Sequence, residues 1–85
     1  MKIEYSATAV KELKKLDKHV QKQILTYMLE VSILDNPRSR GKMLSENLAG
    51  LWRYRIGDYR VICEINDERI LITILHVAHR KEVYK

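Results

Sequence analysis

The hydrophobic pattern changes period part-way along this chain of 85 residues. Up to Leu34 the apolar residues recur at steps of three and four. From Leu51 onward they alternate with polar ones or run in β-branched and aromatic blocks. Steps of three or four keep side chains on one side of a helix, and steps of two keep them on one side of a strand. The chain must therefore build helix first and sheet second, and a chain this short has only one thin core for both layers to share. This constraint gives an α+β fold in a single domain over residues 1–85: an N-terminal helical hairpin packed on one face of a small, mainly antiparallel β-sheet.

Ser6 is placed to cap a helix whose apolar positions are Val10, Leu13 and Leu16, with Lys11, Lys14 and Lys15 toward water. Asp17 can cap a second run, in which Val20, Ile24, Tyr27, Met28, Val31 and Leu34 form one stripe. Two helices in a hairpin, or one long helix broken near Asp17, both fit. Asn36-Pro37 stops the run. Lys2 to Tyr5 is β-prone and needs a neighbour to pair with. Residues 36–50 hold the sole proline and two of the three glycines and show no period, so they read as a loop with a short strand or turn near Met43-Leu44.

Leu51 to Ile56, Tyr59 to Ile65 and Arg69 to Val77 read as three strands of a meander, joined at Gly57-Asp58 and Asn66-Asp67. A two-residue loop at Gly57-Asp58 sets Ile56 opposite Tyr59, Arg55 opposite Arg60, Tyr54 opposite Val61 and Trp52 opposite Cys63. Trp52, Tyr54, Ile56, Tyr59, Val61 and Cys63 then share the face that meets the helices. The other face carries Arg53, Arg55, Arg60 and Ile62, with Glu64 as the one nearby counter-charge. Like charges directly opposite each other weaken a strand pair by up to about 1 kcal/mol. A guanidinium fork fits phosphate oxygens two at a time, so the cluster points to an anion site, although a merely solvated basic face satisfies the same pattern.

The C-terminus favours the anion site. His79-Arg80-Lys81-Glu82-Val83-Tyr84 brings further cations and an aromatic ring toward the start of the second strand, the mixture that single-stranded RNA recognition uses. Strict alternation puts His79 on the arginine face and Arg80 and His76 on the core face; a bulge or the strand's end is needed to re-aim Arg80. Sixteen basic against eleven acidic side chains leave a net charge of +5, which suits a polyanionic partner. Cys63 stands alone and reads as an inert core residue, and three scattered histidines (His19, His76, His79) show no ligand spacing, so no metal and no cofactor are expected. The apolar stretch Ile70 to Leu75 falls far short of the ~20 residues that span a bilayer. Glu4 stands where a signal peptide needs an apolar run, so the expected setting is cytoplasmic, with no membrane partner.

Trp52-Arg53-Tyr54-Arg55-Ile56-Gly57-Asp58-Tyr59-Arg60-Val61, followed by His79-Arg80-Lys81-Glu82-Val83-Tyr84, resembles the RelE branch of the RelE/ParE toxin superfamily. The likeness extends over nearly the whole chain, including the opening strand and the Asn36-Pro37-Arg38 break. It implies a RelE-like fold and the toxin of a type II toxin–antitoxin module, an endoribonuclease that cleaves mRNA in the ribosomal A site without a metal. There the ribose 2′-OH attacks the adjacent phosphate. By this resemblance Arg53, Arg55, Arg60, Arg80 and Tyr84 fall at catalytic positions. Arg60 would stabilise the scissile phosphate, Arg80 would assist the leaving 5′-oxygen, and Tyr84 would stack on a base. Lys11, Lys14, Lys15, Lys18 and Lys22 would hold ribosomal RNA, beyond their plain role as the wet side of the helices. The implied partners are a RelB-like antitoxin, the ribosome with its mRNA, and operator DNA only through the antitoxin complex.

One departure matters: the family's best-studied motif has lysines where this chain has Arg53 and Arg55. A guanidinium does not accept a proton, so His79 becomes the candidate base, imidazole being the side chain that exchanges protons near neutrality. Two alternatives stand beside the nuclease: a non-catalytic ParE-like toxin acting on DNA gyrase, and a non-toxic nucleic-acid-binding module.

Overall fold

The computed structural model describes residues 1–44 and 50–79. Along the chain run β1 (Lys2–Tyr5), α1 (Ala7–Lys14), α2 (Lys18–Ser32), a 3-10 turn (Pro37–Ser39), β2 (Lys42–Met43), β3 (Trp52–Ile56), β4 (Tyr59–Asn66) and β5 (Leu71–His79). The strands form one sheet in the order β1-β5-β4-β3-β2, antiparallel except where β1 lies parallel to β5. The expected meander is thus the centre of the sheet. β1 finds its neighbour on β5, and the short strand near Met43 becomes the opposite edge.

Of the two helical arrangements, the chain takes the hairpin. Ser6 caps α1, its Oγ accepting the Ala9 N–H at 3.0 Å. Past Lys14 the N–H groups of Lys15 and Leu16 turn back to the carbonyls of Glu12 and Leu13, which tightens the last turn and frees the chain to reverse. Asp17 is the N-cap of α2, but its side chain makes no capping bond, unlike Ser6. One apolar assignment shifts as well. Four residues before Leu13 lies Ala9, fully buried, whereas Val10, about 100° further round the helix, is 36% exposed. The small alanine lets α1 approach the sheet closely.

The core joins Ala9 and Leu13 of α1 and Ile24, Met28 and Val31 of α2 to Tyr54, Ile56, Val61, Cys63, Ile72, Ile74 and Val77 of the sheet. Burying each of the larger aliphatic side chains stabilises the fold by about 1.5–3 kcal/mol. Trp52 and Tyr59, as expected, pack against this cluster from its margin. Tyr54 also ties the connection after α2 to the sheet: its buried hydroxyl donates to the Pro37 carbonyl at 2.6 Å, and its ring meets Tyr27 edge-on at 6.1 Å. Burial pushes the Tyr54 phenol well above its ordinary range, so it remains a donor throughout the physiological range. Nearby, the Trp52 Nε1–H donates to the Arg40 carbonyl at 2.7 Å. Gly41 passes so close to β3 (φ +79°) that any Cβ there would collide with the Arg53 carbonyl.

Candidate nucleic-acid interface

The β3–β4 hairpin fixes the candidate site. Gly57 has φ +59° and Asp58 has no positive φ, which suits a two-residue turn with glycine first. The register follows as the pattern predicted: Ile56↔Tyr59, Arg55↔Arg60, Tyr54↔Val61, Arg53↔Ile62 and Trp52↔Cys63. Both helices cover the Tyr54 side, so Arg53, Arg55 and Arg60 lie on the face away from them. Directly opposite residues have Cβ atoms about 5 Å apart, close enough for the Arg55 and Arg60 guanidiniums to reach one anion.

The neighbours of these arginines favour an anion further. β2 pairs Lys42 with Arg53, adding a cation to the same face that sequence reasoning missed, because a two-residue strand in a glycine-containing loop gives no periodic signal. Arg53 is half-buried, and its Nε is shielded from water without a hydrogen-bond partner. Leaving such a donor unsatisfied costs about 1–3 kcal/mol, more where the group is charged, so the arrangement costs stability unless an acceptor arrives. Neither Arg53 nor Arg55 makes an ion pair among the described residues. Ile62, expected on the outer face, is there but only 4% exposed, and it lies outside the main core cluster. It sits on the central strand with Arg53 opposite, and an arginine's aliphatic stem can cover apolar surface while its head stays outward.

At the other end of the sheet the structure corrects three expectations. The second hairpin turns through Asp67 to Ile70, not through two residues, since Asn66 still pairs with Leu71. Asn66 Oδ1 accepts the Arg69 N–H at 3.0 Å inside this wider turn, and Ile70 takes a positive φ of +52°. β5 then carries a bulge: Cys63 pairs with Ile74 but Ile62 pairs with His76, leaving Leu75 as the extra residue. The bulge reverses the alternation beyond it. His79 therefore lies opposite Tyr59 on the helix side, ring against ring at 5.4 Å, and not on the arginine face. It lines a hollow of about 380 Å³ with Glu12, Lys15, Leu16, Tyr59, Val77 and Ala78. His76, expected in the core, has a side chain 59% exposed, with Nδ1 3.5 Å from Glu12 Oε1. The alternation that placed Arg80 on the core face loses its premise; Arg80 and Tyr84 themselves lie outside the described residues.

Lys11, Lys14, Lys15, Lys18 and Lys22 are all exposed on the helices, on the other side of the sheet from the arginines. One link exists at the end of β3: Arg55, Ile56 and Gly57 line a hollow of about 610 Å³ together with Lys22, Gln23 and Glu30 of α2, so Arg55 also borders the helix side there. Cys63 is fully buried, and burial pushes its thiol far up. Among the described residues no group of three or more His, Cys, Asp or Glu side chains could hold a metal ion, and no helix is long and apolar enough to cross a membrane.

With this geometry in view, similarity to known proteins is decisive. A family profile described as the ParE toxin of type II toxin–antitoxin systems, parDE, matches residues 3–84. The chain belongs to this toxin family. Within it, Toxin RelE of Mycobacterium tuberculosis (strain ATCC 25618 / H37Rv) is 34% identical over 80 residues, covering 94% of this chain and 81% of that protein. Toxin RelE3 of Methanocaldococcus jannaschii is 31% identical over 87 residues, covering 99% and 96% respectively. Among solved structures, the RelBE2 toxin–antitoxin complex from Mycobacterium tuberculosis superposes with a TM-score of 0.84 at 30% identity, over 95% of this chain and 92% of that one. These relatives place the toxin in the RelE branch of the superfamily and its fold in the RelE-like class.

Proposed function

We propose that this toxin is an endoribonuclease that cleaves mRNA in the ribosomal A site and so inhibits translation. The observation that carries the reading is the Arg55–Arg60 pair, set directly opposite on the face away from the helices and flanked by Arg53 and Lys42. In the reaction the ribose 2′-oxygen forms a bond to the adjacent phosphorus and its proton passes to solvent water. The bond from phosphorus to the 5′-oxygen breaks, and that oxygen takes up a proton. The products are a 2′,3′-cyclic phosphate and a free 5′-OH. Charge accumulates on the phosphoryl oxygens at the transition state, and fixed guanidiniums aimed at those oxygens stabilise it. Arg53, Arg55 and Arg60 act by charge and hydrogen bonding alone, since a guanidinium does not accept the 2′ proton. His79 drops out of the proposed catalytic group because it lies against Tyr59 on the helix side. Arg80 and Tyr84 keep, by family resemblance, the roles of assisting the leaving oxygen and stacking on a base.

The helical lysines, Lys11, Lys14, Lys15, Lys18 and Lys22, are proposed to grip ribosomal RNA. A RelB-like antitoxin is the proposed protein partner. Its acidic, folding-on-binding character would neutralise the arginine face, and operator DNA would be reached only through that complex. Translating ribosomes incubated with the purified toxin test the reading. We expect mRNA fragments ending in 2′,3′-cyclic phosphate, and their yield to fall by about 100- to 1,000-fold with Arg60→Ala. Fragments bearing 5′-phosphate, or equal cutting by the variant, contradict it. Intact mRNA together with inhibited gyrase supercoiling would favour the ParE-like alternative.

A further inference from the structure

The bulge in β5 is held from the helix layer. β1 stops at Tyr5, opposite Ile74, and beyond that point α1 supplies partners for the β5 backbone. The Ser6 N–H donates to the Ile74 carbonyl at 2.9 Å, and the Ser6 hydroxyl donates to the Leu75 carbonyl at 3.0 Å. Glu12 Oε1 accepts the Val77 N–H at 2.9 Å. The N-cap of α1 thus holds the carbonyl of the extra residue itself, and a side chain about a turn and a half further along the helix holds the N–H two residues beyond it.

The consequence appears on the opposite face of the sheet. With the bulge, Val77 enters the core opposite Val61, and Ala78 stands opposite Arg60. Without it, continuing the Cys63↔Ile74 register would set His76 against Val61 and Val77 against Arg60. The bulge therefore keeps a polar ring out of the core and puts the smaller side chain beside Arg60. A bulge re-aims side chains in this way only while its displaced backbone groups have partners.

We propose that Glu12 is a positioning residue for the arginine site: by accepting the Val77 N–H it fixes the β5 bulge that sets Ala78 beside Arg60. This inference rests on the proposed nuclease reading for its catalytic consequence, but not for its structural part. Glu12 touches no substrate and lies on the helix side of the sheet. The His76 imidazole, 3.5 Å from the same carboxylate oxygen, adds a contact that is secondary to the backbone bond.

The test compares Glu12→Ala with Glu12→Gln in the full-length toxin. The glutamine keeps an acceptor oxygen for Val77, and the alanine removes it. Two-dimensional NMR reads the Tyr59–His79 ring contact and the hydrogen-exchange rate of the Val77 amide, while ribosome-dependent cleavage reads the site. In Glu12→Ala we expect the ring contact to be lost, the Val77 amide to exchange faster, and kcat to fall on the order of a hundredfold. In Glu12→Gln all three should stay near wild type. An unchanged ring contact and exchange rate in Glu12→Ala overturn the proposal, as does a glutamine variant that behaves like alanine. Loss of the ring contact with undiminished cleavage overturns the link to the arginine site. If the wild-type toxin cuts no RNA, the nuclease reading fails, while the NMR comparison still decides whether Glu12 holds the bulge.

Discussion

Two sets of arginines in this toxin behave in opposite ways. Arg38 and Arg40, on the connection between α2 and β2, each have a carboxylate of their own. Arg38 makes a two-pronged contact with Asp67 at 2.9 and 3.0 Å, and Arg40 reaches Glu30 at 3.2 Å while lying 5.4 Å from the centre of the Tyr27 ring. Arg53, Arg55 and Arg60 stand on the sheet, two of them face to face across the β3–β4 ladder. The first set is neutralised by the fold's own acids, whereas Arg53 and Arg55 make no ion pair among the described residues, and Arg55 opposes a like charge across the ladder. A protein retains such a cost where an external anion offsets it.

The comparison is broken most directly by exchanging the roles of the two sets. Removing Arg55 or Arg60 with alanine should cost about 100- to 1,000-fold in cleavage each, and Arg55→Ala should not lower thermal stability, because it relieves like-charge repulsion. Arg38→Ala should leave cleavage near wild type. Kinetics and thermal melts on the same preparations check both. The next effect in size concerns the connection itself. Tyr54→Phe deletes the buried hydrogen bond to the Pro37 carbonyl and should lower unfolding free energy by about 1–3 kcal/mol, read by urea denaturation.

A smaller effect belongs to the neutralised set. The Arg38 hydrogen bonds hold the Asp67 carboxyl below its ordinary range. A depressed folded-state value means that the pair's stabilisation is complete above the unfolded value and fades as pH falls through the folded one. Both partners are exposed, so the change is slight. Asp67→Asn should flatten the acid limb of a melting-temperature profile without shifting its neutral plateau by more than a degree or so. Smallest of all, Cys63, fully buried and with its thiol pushed up by burial, should resist thiol reagents in the native toxin and react at once in denaturant.

The first hairpin was legible residue by residue, because a two-residue glycine turn fixes register and register fixes which side chains share a face. The helical stripe from Val20 to Leu34 was legible for a similar reason, its period being long enough to repeat. β5 was legible as a strand but not in its parity. Nothing in Leu75-His76-Val77 marks a bulge, since neither glycine nor proline interrupts the run, and the groups that hold it come from Ser6 and Glu12, more than sixty positions away. This hidden shift moved His79 from the arginine face to the helix side and took His76 out of the core. Lys42 escaped notice because an edge strand of two residues has no period, and the parallel partner of β1 because long-range pairing leaves no local trace.

The account stands or falls on what the opposed arginines do to ribosome-bound mRNA. Mapping RNA 5′ ends after incubating translating ribosomes with wild type and with an Arg55→Thr/Arg60→Thr double variant measures it directly. Cuts in phase with the reading frame should appear for the wild type and vanish for the double variant, whose folding is checked by its thermal transition. A folded double variant that produces the same cuts at the same rate would contradict it.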